Sequence, residues 1–510
     1  MDGREMLQDD VSIVALRGLL ESGGTTARAL TEQCLERIKT LDDKVNAVIE
    51  HNADALAIAD ERDAERARGV IRGPLHGIPI LIKDNIDTGD RMSTTAGSLA
   101  LEGSRAPMDA FVVARLRAAG MILLGKTNLS EWANFRSGRS SSGWSSRGGQ
   151  TRNPYALDRT PGGSSSGSGV AVACGFAPLA IGTETDGSIV GPAAMNGIVG
   201  IKPTVGLVSR TGIVPISSVQ DTAGSMAKSV ADAAALLSVL VGEDPEDSAT
   251  EGQDAGAVDY TAYLDPDGLK GARIGIARGY CGFHEGIDEI LADCFTVMKA
   301  KGAEIIDDVP LPTREEIRPN ERLAMLYEFK ADLNAYLHRR GATAPVCTLR
   351  DIIAFNAANA DRVMPYFPQD QFELADKKGA LDDPAYIKAR AATQQLAGTQ
   401  GIDAALQMHN LDAIVAPTSC APWLIDWVNG DNRTGGSSTP AAAAGYPSIT
   451  VPAGYLHGLP IGLSLFAGAY QEAVLIRLAH AFELATQIRR PPTFLAEAPI
   501  PFRARHRVLG

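Results

Sequence analysis

Cysteine is sparse in this chain of 510 residues, and the six present (Cys34, Cys174, Cys281, Cys294, Cys347 and Cys420) include no C-x-x-C pair. That scatter argues against a disulfide scaffold or a zinc site and predicts free, buried thiols in a reducing compartment. Basic residues are outnumbered, 48 Lys and Arg against 61 Asp and Glu, and nowhere gather into a stripe. A surface that tracks phosphates needs such a stripe, so nucleic acid is excluded as a direct ligand. Long apolar runs are missing as well. The longest, Gly169 to Gly182, is 14 residues and contains Pro178, which is too short for a membrane span. The opening MDGREMLQDD lacks the apolar core of a secretory leader. The expected location is cytoplasmic, or periplasmic or secreted if a leader has been removed. There is no internal repeat.

What is present fits an ordinary globular protein, 45% apolar, with 52 glycines and 28 prolines marking many tight connections. The length allows roughly three domains or one large α/β unit. Residues 1–70 read as helices. In TTARALTEQCLERIKTL either Thr25 or Thr26 serves as the cap, and Leu30, Cys34, Leu35 and Ile38 share a face; ADALAIADERDAERARG follows as a more polar helix. From 71 to 245 the pattern changes to short apolar runs, IPILIKD and MILLGKT, with helical DAFVVARLRAAG between them, the alternation of a parallel or mixed sheet. VAVACGF then reads as helix and PLAIGTE as strand. Residues 246–410 read as a mainly helical insertion with few strand runs, typified by NERLAMLYEFKADLNAYLHRR. Strands LDAIVAPT, SITVPAG and LPIGLSLFAG and the helix QEAVLIRLAHAFELAT complete the core over 411–510.

Two glycine-rich loops carry serines, PGGSSSGSGV from Pro161 and GTETDGSIVGPA from Gly182, and Lys83 ends the apolar run IPILIK. Other motif matches fail on their context. A P-loop needs Lys after Gly167, where Ser168 stands, and a G-x-S-x-G nucleophile elbow needs a strand before it, which DRTPGG is not. Ser225-Met226-Ala227-Lys228 matches S-x-x-K without the partner motifs and is read as helix surface. A nucleophilic serine needs a base. His76, in GPLHGIPI, reads as structural. Lys83 is the stronger candidate, because a lysine desolvated at the end of an apolar strand is shifted toward its neutral form. A salt bridge with adjacent Asp84 is the alternative for that lysine.

Lys83 in HGIPILIKDNID, Ser164 in GGSSSGSG and Ser188 in GTETDGSIVGPA resemble the Ser-cisSer-Lys triad of the amidase signature family. The resemblance runs over nearly the whole chain, through GKTNLSEWANF and GIVGIKPTVGLVSRTGIVP to AGYPSITVPAG and GLPIGLSL. Within the family, SEWANFRSG, SGWSSRGGQTRNPY and GTETDGSIV are most similar to bacterial peptide amidases. The nucleophile loop departs from the commoner family wording GTDTGGSIR, with Glu184, Asp186 and Val190 replacing Asp, Gly and Arg.

The resemblance implies a single α/β domain, a central mixed sheet with helices on both faces. It implies Ser188 as nucleophile, Ser164 after a cis peptide bond as bridge to neutral Lys83, and the N–H groups of Thr185, Asp186 and Gly187 as the oxyanion hole. The implied substrate is a peptide or small-molecule amide, with no metal, no organic cofactor and no obligate partner protein. Alternatives stay open at this point: an aryl acylamidase, carbamate or ester hydrolase, the catalytic component of a glutamine-dependent tRNA amidotransferase, or a non-catalytic binding protein on the same fold.

Overall fold

Apolar runs of five or six residues are stable as strands only where both faces of a sheet are covered, and these runs are found there. The computed structural model describes residues 11–253 and 258–499. MDGREMLQDD, on which the reading of the leader rested, lies outside the described residues. Strand β1 (Val48–His51) precedes β2 (Pro79–Lys83) and β3 (Ile122–Thr127), and a small ribbon pairs β4 (Trp144–Ser145) with β5 (Gly149–Gln150). Then come β6 (Leu179–Glu184), β7 (Val199–Lys202), β8 (Thr222–Ala227), β9 (Arg273–Ile276), β10 (Glu304–Ile306), β11 (Ala413–Pro417), β12 (Ser448–Leu456) and β13 (Leu459–Phe466).

Eleven of these strands form one sheet in the order β1-β3-β2-β6-β8-β7-β12-β13-β11-β9-β10. It is mixed. β2 runs parallel to both β3 and β6, and β9 runs parallel to both β10 and β11. The remaining pairs are antiparallel. Alternate residues along β2 enter opposite layers, Ile80 and Ile82 one apolar cluster and Leu81 the other. The first layer is closed by helices that include Phe111–Ala118, Val230–Leu240 and Glu472–Thr486, the second by Ala27–Val45 and Ser166–Ala173. Helices thus cover both faces, and the whole is one domain.

The N-terminal helix Ala27–Val45 is capped by Thr26, whose hydroxyl accepts from Ala29 N–H at 3.0 Å. Leu30, Cys34 and Ile38 are buried, while Leu35 is only half-buried. The long helix Arg314–Arg340 starts at a capping box of Thr313 and Glu316 and buries Ile317, Met325, Phe329, Leu333 and Tyr336. Among the described residues no helix is long and apolar enough to cross a membrane.

Two sequence readings need correction. Ser225, Met226 and Ala227 lie in β8 with every residue of that strand buried, not on a helix surface. Single small residues in TAGSMA conceal a strand that is covered on both sides. Residues 246–410, read as mainly helical with few strand runs, supply two short strands, β9 and β10, to the far edge of the sheet. Strands of four and three residues, the second of them partly exposed, leave too little pattern to read. Finally, not every thiol is buried: Cys347 is exposed and Cys281 half-buried.

Candidate active site

Because β2 and β6 are parallel neighbours, with Ile82 opposite Ile181, both leave the sheet at one edge. The carboxyl edge of strands is where open α/β sheets place ligands. Lys83 is the last residue of β2 and is fully buried. Its Nζ donates to Ser164 Oγ at 2.8 Å, to Thr183 Oγ1 at 2.8 Å and to Thr183 C=O at 3.2 Å. Asp84 is not its partner, since that carboxylate accepts from the Thr95 hydroxyl and Gly97 N–H and lies 3.6 Å from Arg147. Burial pulls the Lys83 amine down to about 7, against the opposing pull of Glu184 and Asp221.

Ser164 is buried and follows a cis peptide bond from Gly163. A Cβ at Gly163 would stand 2.3 Å from Ser130 Oγ, so the close approach of these loops requires glycine. The two serine loops are joined main chain to main chain, Ser165 N–H donating to Ser188 C=O at 3.1 Å. Ser188 retains 8% exposure and faces a cavity of about 340 Å³, shared with Gly163, Thr185, Asp186 and Gly187. All six residues singled out in the sequence thus meet at one edge of the sheet.

Residues 185–189 form the turn between the end of β6 and the helix Val190–Met195. Glu184 holds that turn. Its carboxylate accepts from Ile189 N–H at 2.6 Å and Val190 N–H at 3.0 Å. Thr185 Oγ1 donates to Asp221 at 2.6 Å. Asp186 accepts from the hydroxyls of Ser438 at 2.5 Å and Thr439 at 2.9 Å, tying the turn to the C-terminal part of the chain. Gly187 has φ +81°, and a Cβ there would meet Ser438 Oγ at 2.8 Å.

The SEWANFR segment builds one wall of the cavity. Trp132, Ala133 and Asn134 take left-handed φ values of 51°, 52° and 69° in succession, each costing about 1–2 kcal/mol outside glycine. The turn is held by Trp132 set edge-on to Phe372 at 5.7 Å and by the buried ion pair of Glu131 with Arg136 at 2.5 Å. Arg136 also stacks over Phe367, 4.2 Å from the ring centre.

Sequence reasoning did not find the supports of the turn. Asp221, pushed up to about 6 by burial, also accepts from Ile216 and Ser217 N–H. Gln220 Nε2 bridges Thr185 C=O at 3.3 Å and Glu321 at 2.9 Å. Asp431 binds Ser142 and Trp423 from a loop remote in sequence. Gln220 and Asp221 precede the strand TAGSMA, whose small residues give no pattern that would single them out. His76 is buried with Nε2 3.0 Å from Arg62 C=O, a structural position.

A buried lysine on one serine, beside a second serine in a glycine-flanked turn at the carboxyl edge of a mixed sheet, is an arrangement able to activate a hydroxyl nucleophile. The comparisons with known proteins make the chain an amide-hydrolysing enzyme. The chain belongs to the amidase family, whose profile, described as Amidase, matches residues 29–476. It is 51% identical to the native peptide amidase of Stenotrophomonas maltophilia, with a TM-score of 0.91 over 95% of this chain and 99% of that one. A probable amidase of Arabidopsis thaliana is 40% identical over 499 residues, covering 96% of this chain and 92% of the relative. A glutamyl-tRNA(Gln) amidotransferase component from Chloroflexus aurantiacus is 36% identical over 500 residues, 94% of this chain and 97% of that protein.

Proposed function

We propose that this amidase hydrolyses the C-terminal carboxamide of peptides to free acid and ammonia, through an acyl-enzyme on Ser188. The observation that carries the chemistry is the fully buried Lys83 in hydrogen bond to Ser164 at 2.8 Å. An ammonium donates three hydrogen bonds, whereas a neutral amine donates two and accepts one. With Lys83 neutral, Thr183 takes both donors and Ser164 O–H points to the lone pair. Ser164 is then free to accept the proton of Ser188.

In this scheme Ser188 Oγ bonds to the amide carbon as its proton passes to Ser164 and that of Ser164 to Lys83. The N–H groups of Thr185, Asp186 and Gly187 hold the oxyanion. Collapse breaks the C–N bond while the relay runs back and delivers a proton to departing ammonia. Water then releases the acyl group by the same relay. By the same reading the enzyme works in the cytoplasm without an obligate partner protein, so the purified single chain should be fully active.

The likeness to the Stenotrophomonas enzyme, well above that to the amidotransferase component, supports the peptide-amide substrate. Mass spectrometry tests it. An amidated tripeptide should gain one mass unit without fragmentation. Turnover confined to anilides, carbamates or glutamine, with amidated peptides untouched, would reject this substrate class.

A further inference from the structure

The cavity that contains Ser188 is also lined by Arg314, Arg318 and Arg322, at four-residue spacing on the helix Arg314–Arg340, and by Arg433. For a chain of net charge −13 this is a local reversal of sign, and it corrects the reading that basic residues nowhere gather, because the row forms only when the helix and the loop of Arg433 meet at one cavity. Among the described residues none of the four guanidiniums has a carboxylate within 4.0 Å, and the buried Nε of Arg314 has no hydrogen-bond partner. Arg433 donates to Ser438 Oγ at 3.1 Å.

The acids nearby offset only part of this charge, since four guanidiniums face two carboxylates in the cavity lining. Asp186 and Asp431, the two carboxylates that line the cavity among the described residues, are each held by hydroxyl or N–H donors. Glu321, on the same helix, accepts from Gln220, and burial together with neighbouring Asp186 holds its carboxyl above the usual range against the opposing pull of Arg318 and Arg433.

Eight residues of helix carry the three arginines over about 12 Å. An extended peptide covers that distance in three or four residues at roughly 3.3 Å each. We propose that this row selects acidic peptides, so that amides with Asp or Glu within three residues before the amidated one are preferred over neutral and basic ones. The inference rests on the peptide-amide reading of the site. Guanidinium forks match a carboxylate bidentately, and a row of them lets the acidic position vary by a residue. Exposed pairs are individually weak, so the expected discrimination is moderate and sensitive to salt.

The experiment compares acetylated tetrapeptide amides that differ only in Glu, Gln or Lys two residues before the amidated one. At low ionic strength kcat/KM should fall in that order, Glu exceeding Gln by about three- to tenfold. The ratio should shrink at high salt. In Arg318→Glu/Arg322→Glu the Glu-to-Gln ratio should invert, and a ratio taken within one variant is insensitive to how much of it folds. Binding of the three peptides to Ser188→Ala, by calorimetry, reports the same selection without turnover. Equal kcat/KM for the three peptides overturns the acidic selection and leaves the amide reading standing. Absence of hydrolysis with Glu-selective binding upholds the charge selection and overturns the amide reading. Absence of hydrolysis with equal binding overturns both.

Discussion

At the carboxyl ends of β2 and β6, Lys83, Ser164 and Glu184 are buried and hydrogen-bonded before any substrate arrives. Along the helix Arg314–Arg340, by contrast, the arginines that border the same cavity are exposed or half-buried and have no carboxylate within 4.0 Å among the described residues. The two walls obey different physics. Proton transfer needs groups fixed at hydrogen-bond distance and an amine stripped of water, which only a packed sheet edge provides. Choosing among substrates needs weak contacts that form anew with each one, and an exposed helix face offers them.

The sharpest way to break this comparison is to remove the nucleophile. Ser188→Ala should lose about 10⁴-fold or more in kcat with its circular dichroism and melting cooperativity unchanged. Full hydrolysis by the purified variant would remove Ser188 from its role. Lys83→Ala and Ser164→Ala should each lose orders of magnitude too. Their double variant should be no worse than the poorer single one, because both interrupt one relay. Additive losses in kcat would mean that the lysine and the serine act separately.

Next in size is the wall formed by SEWANFR. Arg136→Ala strands Glu131 as an unpaired carboxylate in a fully buried site, at a cost of about 3–5 kcal/mol. Urea unfolding should show it as a lowered midpoint at unchanged slope. A loss below about 1 kcal/mol would show that aromatic packing, not the ion pair, holds this turn.

The pH profile sharpens the picture of the buried edge. Burial lowers Lys83 to about 7, so the neutral base is lost as pH falls through that value. The logarithm of kcat/KM should rise with unit slope up to about pH 7 and then level. Below about 6, protonation of Asp221 weakens its hold on Thr185 and should steepen the limb. EDTA should leave the profile unchanged. A plateau reaching down to pH 5 would mean that Lys83 is not the base. Smallest is a thiol titration: native protein should react rapidly at Cys347 and slowly at Cys281, the other four thiols staying masked until unfolding. Activity should survive modification of Cys347.

The catalytic edge was the more legible region, for reasons visible in its residues. IPILIK and PLAIGTE carry apolar runs too short for a helix and too continuous for a half-exposed strand, and each ends at the residue that matters. TAGSMA carries no such signal, and its small residues led to a helix-surface reading of what is a buried strand. β10 is half open to solvent, so its three residues show no pattern either. The arginine row was present in NERLAMLYEFKADLNAYLHRR and the residues before it, but four-residue spacing on a helix marks a face without saying what that face meets.

By itself the sequence determined the strands that end in Lys83 and Glu184, the glycine-flanked serines and the helical character of the chain from 314 to 340. These are properties of local pattern: burial on both faces, backbone freedom at Gly163 and Gly187, and the 3.6-residue period. Only the tertiary structure decided that β2 and β6 lie side by side in parallel, so that Lys83 meets Ser164 and Thr183 across 81 and 100 residues of chain. It alone brought Asp186 to Ser438 across 252 residues and set the arginines against the same cavity. Strand order is settled by the summed packing of all eleven strands and their covering helices, and no single segment carries that sum.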